Sequence, residues 1–383
     1  MDQLKERPKE QPKELPKELP KELPKEPPKE QLKDHPQEQP KWHYVPQRVF
    51  FEEEALAYPL GQQIVALCRE LGLPTRQIPS HNRVTGLPGD TPNQKYAQAK
   101  KTLVVGVKRD LRFPTCRPSA DYQFPLMTSC PGHCEYCYLQ TTLGQRPYLR
   151  VYVNVEEMLD QAAKYIEKNA PEVTTFEVAS SGDPLSVEHL TGSLFKTIEF
   201  FGSQELGRLR FVTKFTGVEP LLNARHNGHT RFRFSLNSER VVRDFEHRTP
   251  PVAERIAAAA QVARAGYPLG FIIAPIMVYP GWEEDYLRLF DQLKKELASI
   301  QPLSPPVTFE LIQHRFTARA KKVILERFPE SRLDMDEEKR KFKYGKYGMG
   351  KYVYPDETAK GMKDLLQTAL LERFPDAEVE YFT

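Results

Sequence analysis

The sequence predicts an α/β fold, a partial (β/α)6 TIM-like barrel with an N-terminal cap and a C-terminal extension that carries a β-hairpin. Short apolar runs alternate with amphipathic segments between residues 124 and 316, which is typical of parallel strands joined by right-handed crossover helices. Three cysteines directly follow the first apolar run, at the kind of strand end where such folds place their chemistry. A doubly wound open sheet is the alternative architecture, because one sequence does not reveal strand order.

The predicted elements follow from the spacing of apolar residues. Residues 52–71 carry apolar side chains at helical spacing and predict a helix of the cap. The predicted domains are a disordered tail (1–41), an N-terminal lobe (42–115), the barrel (116–316) and a C-terminal extension (317–383). Barrel strands are predicted at 124–128, 174–179, 209–215, 231–236, 269–278 and 308–313, and helices between them at 155–168, 192–201, 252–265 and 282–297.

The first 40 residues repeat a four-residue unit, seen in Pro12-Lys13-Glu14-Leu15 and again from Pro16. A proline once per turn is incompatible with a continuous helix, so this segment is expected to be disordered or extended. Its basic and acidic residues nearly cancel, which favours a solvated spacer over a polyanion-binding arm.

Composition excludes several classes of protein. The 383 residues include only five cysteines, too few for a disulfide scaffold, and Cys130, Cys134 and Cys137 fall within eight residues, which suits a reducing compartment where thiolates hold metal. No apolar run reaches the roughly 20 residues of a membrane span. The net charge of +3 neither requires nor excludes a nucleic-acid partner. A cytoplasmic enzyme without membrane contact is expected.

The segment Ser129 to Leu139 is the strongest chemical signal, with thiols at positions i, i+4 and i+7 in a loop that contains Pro131 and Gly132. Three thiolates on a four-iron cubane leave one iron open to a substrate or cofactor. A zinc site that adds His133 is the first alternative, and three unrelated buried cysteines are the second. Adjacent ligands such as His133 and Cys134 are unusual in zinc sites, which favours the cluster.

This C-x3-C-x2-C loop resembles that of the radical S-adenosylmethionine superfamily. Further short sequence segments resemble those of the spore photoproduct lyase family: PSADYQ at 118–123, CYLQTT at 137–142, GYPLGFIIAP at 266–275 and KYGMGKY at 346–352. The resemblance implies a 4Fe–4S cluster held by the three cysteines, and S-adenosyl-L-methionine that is cleaved to a 5′-deoxyadenosyl radical. It also implies DNA containing thymine dimer lesions as substrate and an electron donor of the flavodoxin or ferredoxin type.

Polar residues at predicted strand ends suit the zwitterionic S-adenosylmethionine. Lys214, Ser235 and Asn237 end two consecutive strands, although ordinary strand-end polarity is the plain alternative. By resemblance, Lys214 and Ser235 correspond to cofactor contacts. The turn that contains Ser181, Gly182 and Asp183 resembles the turn that meets the amino group of the cofactor, and its plain alternative is a helix-capping loop.

Ser180 departs from the family pattern. The resemblance implies a cysteine here that returns a hydrogen atom to the thymine radical, and a serine O–H bond is too strong for that role. Tyr136 and Tyr138, which match family tyrosines implicated in radical relay, are the favoured source of hydrogen. Cys116 is a second candidate if the fold brings it close. A radical paralogue with a different lesion or substrate is the third interpretation.

The segment 339–352 holds six cations and four aromatic residues in fourteen positions. Such a segment suits phosphate neutralisation and base stacking, whereas a solvated basic loop is the alternative. By resemblance it is a hairpin that separates the strands at the lesion, with Lys346 and Tyr347 as the wedge and Lys351 and Tyr352 as further DNA contacts. A non-catalytic iron–sulfur protein that binds nucleic acid stays open as a competing function.

Overall fold

The computed structural model describes residues 44–82, 84–144, 147–300, 303, 305–344 and 350–383. Residues 40–383 form one compact unit. The tail predicted at 1–41 and the wedge residues Lys346 and Tyr347 lie outside the described residues. In the part of the chain that is described, no helix is both long and apolar enough to cross a membrane.

The main sheet, here called the barrel sheet, is a curled half-barrel. Every neighbouring pair is parallel except the first, which is antiparallel. Its spatial order follows the chain order without reversal, so the predicted partial barrel is confirmed and the doubly wound alternative is wrong. The strands in order are Thr115–Cys116, Ala120–Gln123, Thr174–Glu177, Gly207–Thr213, Thr230–Leu236, Leu269–Ile276, Thr308–Gln313 and Glu378–Phe382.

Helices cover the outer face of the barrel sheet and bury its phenylalanines, such as Phe211, Phe232 and Phe271. The helix Trp282–Leu297 has the predicted bounds and buries one stripe, because Leu289, Leu293 and Leu297 recur at helical spacing. The other α-helices of this part are Leu139–Thr142, Val155–Asn169, Glu188–Thr191, Ser193–Gly202, Glu239–Phe245, Val252–Arg264, Ala318–Arg327 and Asp356–Arg373.

The predicted first strand at 124–128 is wrong. The strand Ala120–Gln123 takes that place in the barrel sheet, and the chain leaves the sheet at Phe124. Pro125 lacks the N–H that a central strand needs, which explains the break. Met127–Thr128 then pairs antiparallel with Leu149–Tyr152 in a second sheet.

The second sheet, here called the lobe sheet, builds the N-terminal part. Its order is Thr75–Ile78, Arg48–Glu52, Thr102–Gly106, Leu149–Tyr152 and Met127–Thr128. The last two strands come from beyond residue 115, so the predicted boundary at 115/116 does not separate the two sheets. The predicted helix 52–71 begins too early, because a strand ends at Glu52 and Pro59 occupies the first position of the helix Pro59–Glu70. The helix Pro92–Lys100 precedes the third strand in the chain.

The C-terminal extension carries the predicted hairpin, here called the basic hairpin, in which Lys341–Tyr344 pairs antiparallel with Gly350–Val353. Backbone hydrogen bonds between Phe316 and Tyr352 fix it to the chain just after the strand Thr308–Gln313. The ring of Tyr352 stacks on Phe316 with 5.2 Å between ring centroids. Tyr344 is 80 % exposed, which leaves its ring free to stack on another molecule.

A buried carboxylate in the lobe gives a pH prediction. Glu52 accepts hydrogen bonds from the backbone N–H groups of His81 (2.7 Å) and Val107 (3.0 Å) and from Arg109 (3.2 Å), and its Oε2 lies 2.8 Å from Nδ1 of His81. Burial opposes ionisation, but these hydrogen bonds, led by His81, lower the pKa of Glu52 from 4.5 to about 2. A lowered folded-state pKa stabilises the protein above the unfolded pKa, and that contribution is lost as pH falls from 4.5 towards 2.

We therefore expect Glu52→Gln to remove up to about 3 kcal/mol of pH-dependent stability between neutral and strongly acidic solution. Urea unfolding at a series of pH values measures it, with the exposed neighbour Glu53→Gln as the matched control. Stability curves of wild type and Glu52→Gln that stay parallel over the acid range would contradict the assignment.

Candidate active site at the barrel mouth

The cysteine loop, residues 129–139, is held by backbone contacts at the ends of the barrel strands. Ser129 donates its backbone N–H to the carbonyl of Ser181 (2.7 Å). His133–Cys134 forms a short antiparallel pair with Glu246–His247, and Gln140 Nε2 donates to the carbonyls of Cys134 (2.8 Å) and Glu135 (2.7 Å). The loop is therefore fixed before any cofactor binds.

The three thiols face a crowded interior. A Cβ on Gly132 would lie 2.9 Å from Cγ2 of Thr249 and 3.5 Å from Sγ of Cys130, so a larger residue does not fit there. Burial raises the pKa of Cys130 to about 12 and also raises that of Cys134. Both thiols are thus favoured in the protonated form, and metal binding would release their protons.

The side chains of the loop do not converge on a single ion. Within the described ranges, no three His, Cys, Asp or Glu side chains are arranged to hold one metal ion. Instead, Nε2 of His133 and the hydroxyl of Tyr96 are buried without a hydrogen-bond partner among the described residues, and their rings lie 5.2 Å apart by centroid.

Lys214 is the centre of a polar cluster beyond the barrel strands. Its Nζ donates to Oγ of Ser235 (2.8 Å), to Oε1 of Glu246 (3.1 Å) and to the hydroxyl of Tyr136 (3.3 Å). The Tyr136 hydroxyl also donates to Glu246, and Arg255 binds the other oxygen of Glu246 at 2.6 Å. The predicted residues Lys214, Ser235 and Tyr136 therefore meet at one point.

Asp183 ties the turn after the strand Thr174–Glu177 to the next strand. It accepts hydrogen bonds from the Thr213 hydroxyl (2.8 Å) and from the backbone N–H of Lys214 (3.0 Å). Burial raises the pKa of Asp183 to about 6. A Cβ on Gly182 would lie 2.6 Å from the carbonyl of Ser129, so this position requires glycine for the turn to meet the cysteine loop. Ser181 is half-buried beside it.

Asn237 is engaged in a structural network. Its Nδ2 donates to the carbonyl of Pro275 (2.8 Å), and its Oδ1 accepts from the hydroxyl of Tyr286 (2.6 Å) and from the backbone of Ser238 (2.9 Å). These contacts orient Asn237 between two strand ends and leave one N–H of its amide for a ligand.

Tyr138, Ser180 and Cys116 lie near one another. The ring of Tyr138 is 59 % exposed, but its hydroxyl points inward and donates to the carbonyl of Ser180. Burial of that hydroxyl, with the neighbouring thiols of Cys137 and Cys116, raises the pKa of Tyr138. Cys116 is half-buried in the first barrel strand. Cys116 therefore lies within electrostatic range of the Tyr138 hydroxyl, which itself contacts Ser180.

Three buried charged residues of this region were not predicted from the sequence. Glu246 and Arg255 complete the polar cluster, and Nζ of Lys100 donates to the carbonyl of Cys130 at 2.6 Å. None belongs to a sequence motif, because the role of each depends on contacts with residues elsewhere in the chain. Of the three, Arg255 alone could have been suspected from the sequence, because it is a charged residue on an otherwise apolar stripe of the helix Val252–Arg264.

A cavity of about 160 Å³ opens beyond the last two predicted barrel strands. Cations and aromatic rings line it together, with Arg240 at 4.5 Å from the ring centroid of Tyr279 and Arg340 at 3.7 Å from that of Tyr354. Its remaining wall includes Met277, His314 and Asp244.

The fold and the cysteine loop together define the class: an α/β partial barrel of the radical S-adenosylmethionine type. The model of the spore photoproduct lyase family matches residues 44–383. The chain belongs to the spore photoproduct lyase family.

Curated relatives and solved structures agree with this assignment. The spore photoproduct lyase of Geobacillus sp. (strain Y412MC61) is 52 % identical over 340 residues, covering 89 % of this chain and 99 % of the relative. That of Bacillus subtilis (strain 168) is 50 % identical with the same coverage. A mutant spore photoproduct lyase with bound AdoMet and dinucleoside spore photoproduct superimposes with a TM-score of 0.86 at 53 % identity, covering 89 % of this chain and 99 % of that one. A complex of spore photoproduct lyase with the dinucleoside alone also gives a TM-score of 0.86.

Proposed function

We propose that this protein is a radical S-adenosylmethionine carbon–carbon lyase that returns spore photoproduct, 5-thyminyl-5,6-dihydrothymine, in DNA to two thymines. The observation that carries the proposal is the meeting of the cysteine loop with Lys214, Ser235 and Asp183 at the same strand ends. The solved relative that binds both AdoMet and dinucleoside spore photoproduct supports the choice of cofactor and substrate.

A 4Fe–4S cluster fits the cysteine loop. Cys130, Cys134 and Cys137 lie within electrostatic range of one another, as suits three thiolate ligands of one cluster. The unpartnered Nε2 of His133 and hydroxyl of Tyr96 offer hydrogen-bonding groups beside them. When bound, the cluster supplies the electron that cleaves S-adenosylmethionine to a 5′-deoxyadenosyl radical. A flavodoxin- or ferredoxin-type protein is the proposed electron donor.

Lys214 is proposed to bind the carboxylate of S-adenosylmethionine, with Ser235 and Asn237 beside it. The ammonium of Lys214 already lies between Ser235 and Glu246, so it is oriented before the cofactor arrives. The turn 181–183 is proposed to receive the amino group. Asp183 acts there as a positioning residue, because its oxygens already accept from Thr213 and Lys214.

Cys116 is the proposed hydrogen donor, with Tyr138 beside it. The covalent O–H bond of Ser180 is too strong to give up a hydrogen atom readily, and the hydroxyl of Tyr136 is engaged by Glu246 and Lys214. The S–H bond of Cys116 breaks, a C–H bond forms on the thymine radical, and the unpaired electron stays on the sulfur next to the phenol of Tyr138. Cys68, the other free thiol outside the loop, is buried in the lobe core.

The basic hairpin is proposed to hold the lesion out of the duplex. An already distorted site costs less to extrude, and exposed Tyr344 is available to stack on a neighbouring base. Lys346 and Tyr347, which lie outside the described residues, keep their proposed role as the wedge. Lys351 is proposed to contact phosphate, whereas the stacking of Tyr352 on Phe316 favours a supporting role for that ring.

Removing one phosphate contact should weaken DNA binding and its salt dependence together. The binding constant K falls as salt rises. We expect Lys351→Ala to reduce the magnitude of the slope of log K against log salt concentration by about 0.9, because one phosphate contact is lost. Fluorescence anisotropy with a duplex that carries the lesion, over a range of salt concentrations, measures both quantities. Lys363→Ala, on the exposed face of the helix Asp356–Arg373, is the matched control. An unchanged slope for Lys351→Ala would exclude a phosphate contact.

The test of the proposed function is a direct assay. Reconstituted, reduced protein is incubated with S-adenosylmethionine and dinucleotide or duplex spore photoproduct, and 5′-deoxyadenosine and thymine are followed by chromatography. We expect both products. Absence of 5′-deoxyadenosine would contradict radical initiation, and 5′-deoxyadenosine without recovered thymine would indicate a different substrate.

A further inference from the structure

Lys100 is a buried lysine beside the cysteine loop. It ends the helix Pro92–Lys100 and is only 4 % exposed. Its Nζ donates to the carbonyl of Cys130 at 2.6 Å and lies 5.4 Å from the ring centroid of Tyr96. All three cysteine thiols of the loop are within its electrostatic range.

This ammonium has no carboxylate partner. Among the described residues, no Asp or Glu oxygen lies within 4.0 Å of its Nζ, whereas Arg210, Arg233 and Arg255, which are similarly buried, each pair with a glutamate. A buried charge without a counter-charge is costly, and one carbonyl acceptor does not offset it. The thiols of Cys130, Cys134 and Cys137 are in electrostatic range of Lys100 and become anionic when they bind a cluster.

We propose that Lys100 is the fixed counter-cation of the iron–sulfur cluster and raises its reduction potential. The inference rests on the proposed cluster in the cysteine loop. A cubane with three thiolates is anionic and gains a further negative charge on reduction, so a nearby cation stabilises the reduced form more than the oxidised form. Burial keeps this interaction largely unscreened by salt.

Lys100 belongs to the N-terminal lobe, whereas the ligands belong to the loop beyond it. On this proposal the lobe contributes to electron uptake, because the ease with which the electron donor reduces the protein should depend on Lys100. Lys100 lies outside the set of residues proposed to contact S-adenosylmethionine or DNA.

The test is a redox titration of the full chain, reconstituted anaerobically and followed by electron paramagnetic resonance. We expect Lys100→Met, which keeps the apolar stem, to lower the equilibrium constant for one-electron reduction at least tenfold, or about 59 mV more negative. Lys100→Arg should stay closer to wild type because it keeps the charge. The half-exposed neighbour Lys101→Met is the matched control and should shift the potential far less.

Iron content shows whether a variant holds a cluster, and circular dichroism shows whether it is folded. A wild-type chain that takes up no iron would contradict the cluster itself. Equal potentials for wild type and Lys100→Met at equal iron content would overturn the role of Lys100. If Lys100→Met takes up no iron, the iron contents of Lys100→Gln and Lys100→Arg are compared. Iron uptake by the arginine variant alone would support the role of Lys100 as counter-cation. Failure of all three variants to take up iron would mean that Lys100 has only a packing role.

Discussion

Replacing Cys116 with serine is expected to abolish clean thymine formation while 5′-deoxyadenosine continues to form. In the proposed mechanism, radical initiation depends on the cysteine loop and Lys214, which the substitution does not change, whereas the thymine radical loses its proposed S–H donor. Serine keeps the size and polarity of the side chain and removes only the weak bond. Product analysis by chromatography and mass spectrometry should show a fall in thymine recovery of at least tenfold and the appearance of side products.

Isotope exchange sharpens this test. In deuterated water the thiol exchanges its proton, so wild-type product should carry one deuterium per repaired dimer and Cys116→Ser product should carry none. Ser180→Cys in the Cys116→Ser background should restore thymine, because the new thiol lies beside Tyr138. Cys68→Ala, in the core of the lobe sheet, is the control. Deuterated thymine from Cys116→Ser at the wild-type yield would instead indicate a tyrosine route through Tyr138.

Arg255→Met is expected to be the most destabilising single change considered for the site. Arg255 is fully buried and donates to Glu246 (2.6 Å) and to the carbonyls of Pro250 (2.8 Å) and Ser235 (3.0 Å). Breaking a buried pair from one side leaves an uncompensated charge, which costs about 3–5 kcal/mol. Urea unfolding measures the loss, and S-adenosylmethionine binding should weaken because Ser235 and Lys214 lose their support.

Two further variants decide whether the effect comes from the charge pair. Arg264→Met, on the exposed face of the same helix, should change stability by less than about 0.5 kcal/mol. Glu246→Gln combined with Arg255→Met should cost less than the sum of the single changes, because the two residues are directly coupled. Strict additivity would show that Arg255 acts independently of Glu246.

The spacing of apolar residues predicted the central barrel well, since those elements are buried on a regular period. The strand Thr308–Gln313 has its predicted bounds, and Gly207–Thr213 differs by two residues at each end. The strand Glu378–Phe382 was not predicted, because it lies at the sheet edge, is half-exposed and alternates with glutamates. Phe124 was assigned to a strand that Pro125 prevents.

For the site, sequence reasoning succeeded where topology brings residues together. Lys214 and Ser235 end neighbouring parallel strands, so their contact follows from the fold class. Lys100, Glu246 and Arg255 are single charged residues outside any motif. Lys100 contacts Cys130, 30 positions away, and Glu246 contacts Arg255, Lys214 and Tyr136, which lie 9, 32 and 110 positions away. Burial without a nearby counter-charge is visible only in three dimensions.

The lobe sheet takes Met127–Thr128 and Leu149–Tyr152 from either side of the cysteine loop. Excision of residues 44–106 would therefore remove three strands from this sheet and expose the edge of Leu149–Tyr152. Its unpaired backbone groups could then pair with another chain, which promotes aggregation. The lobe is for this reason a poor module to swap or delete in protein engineering.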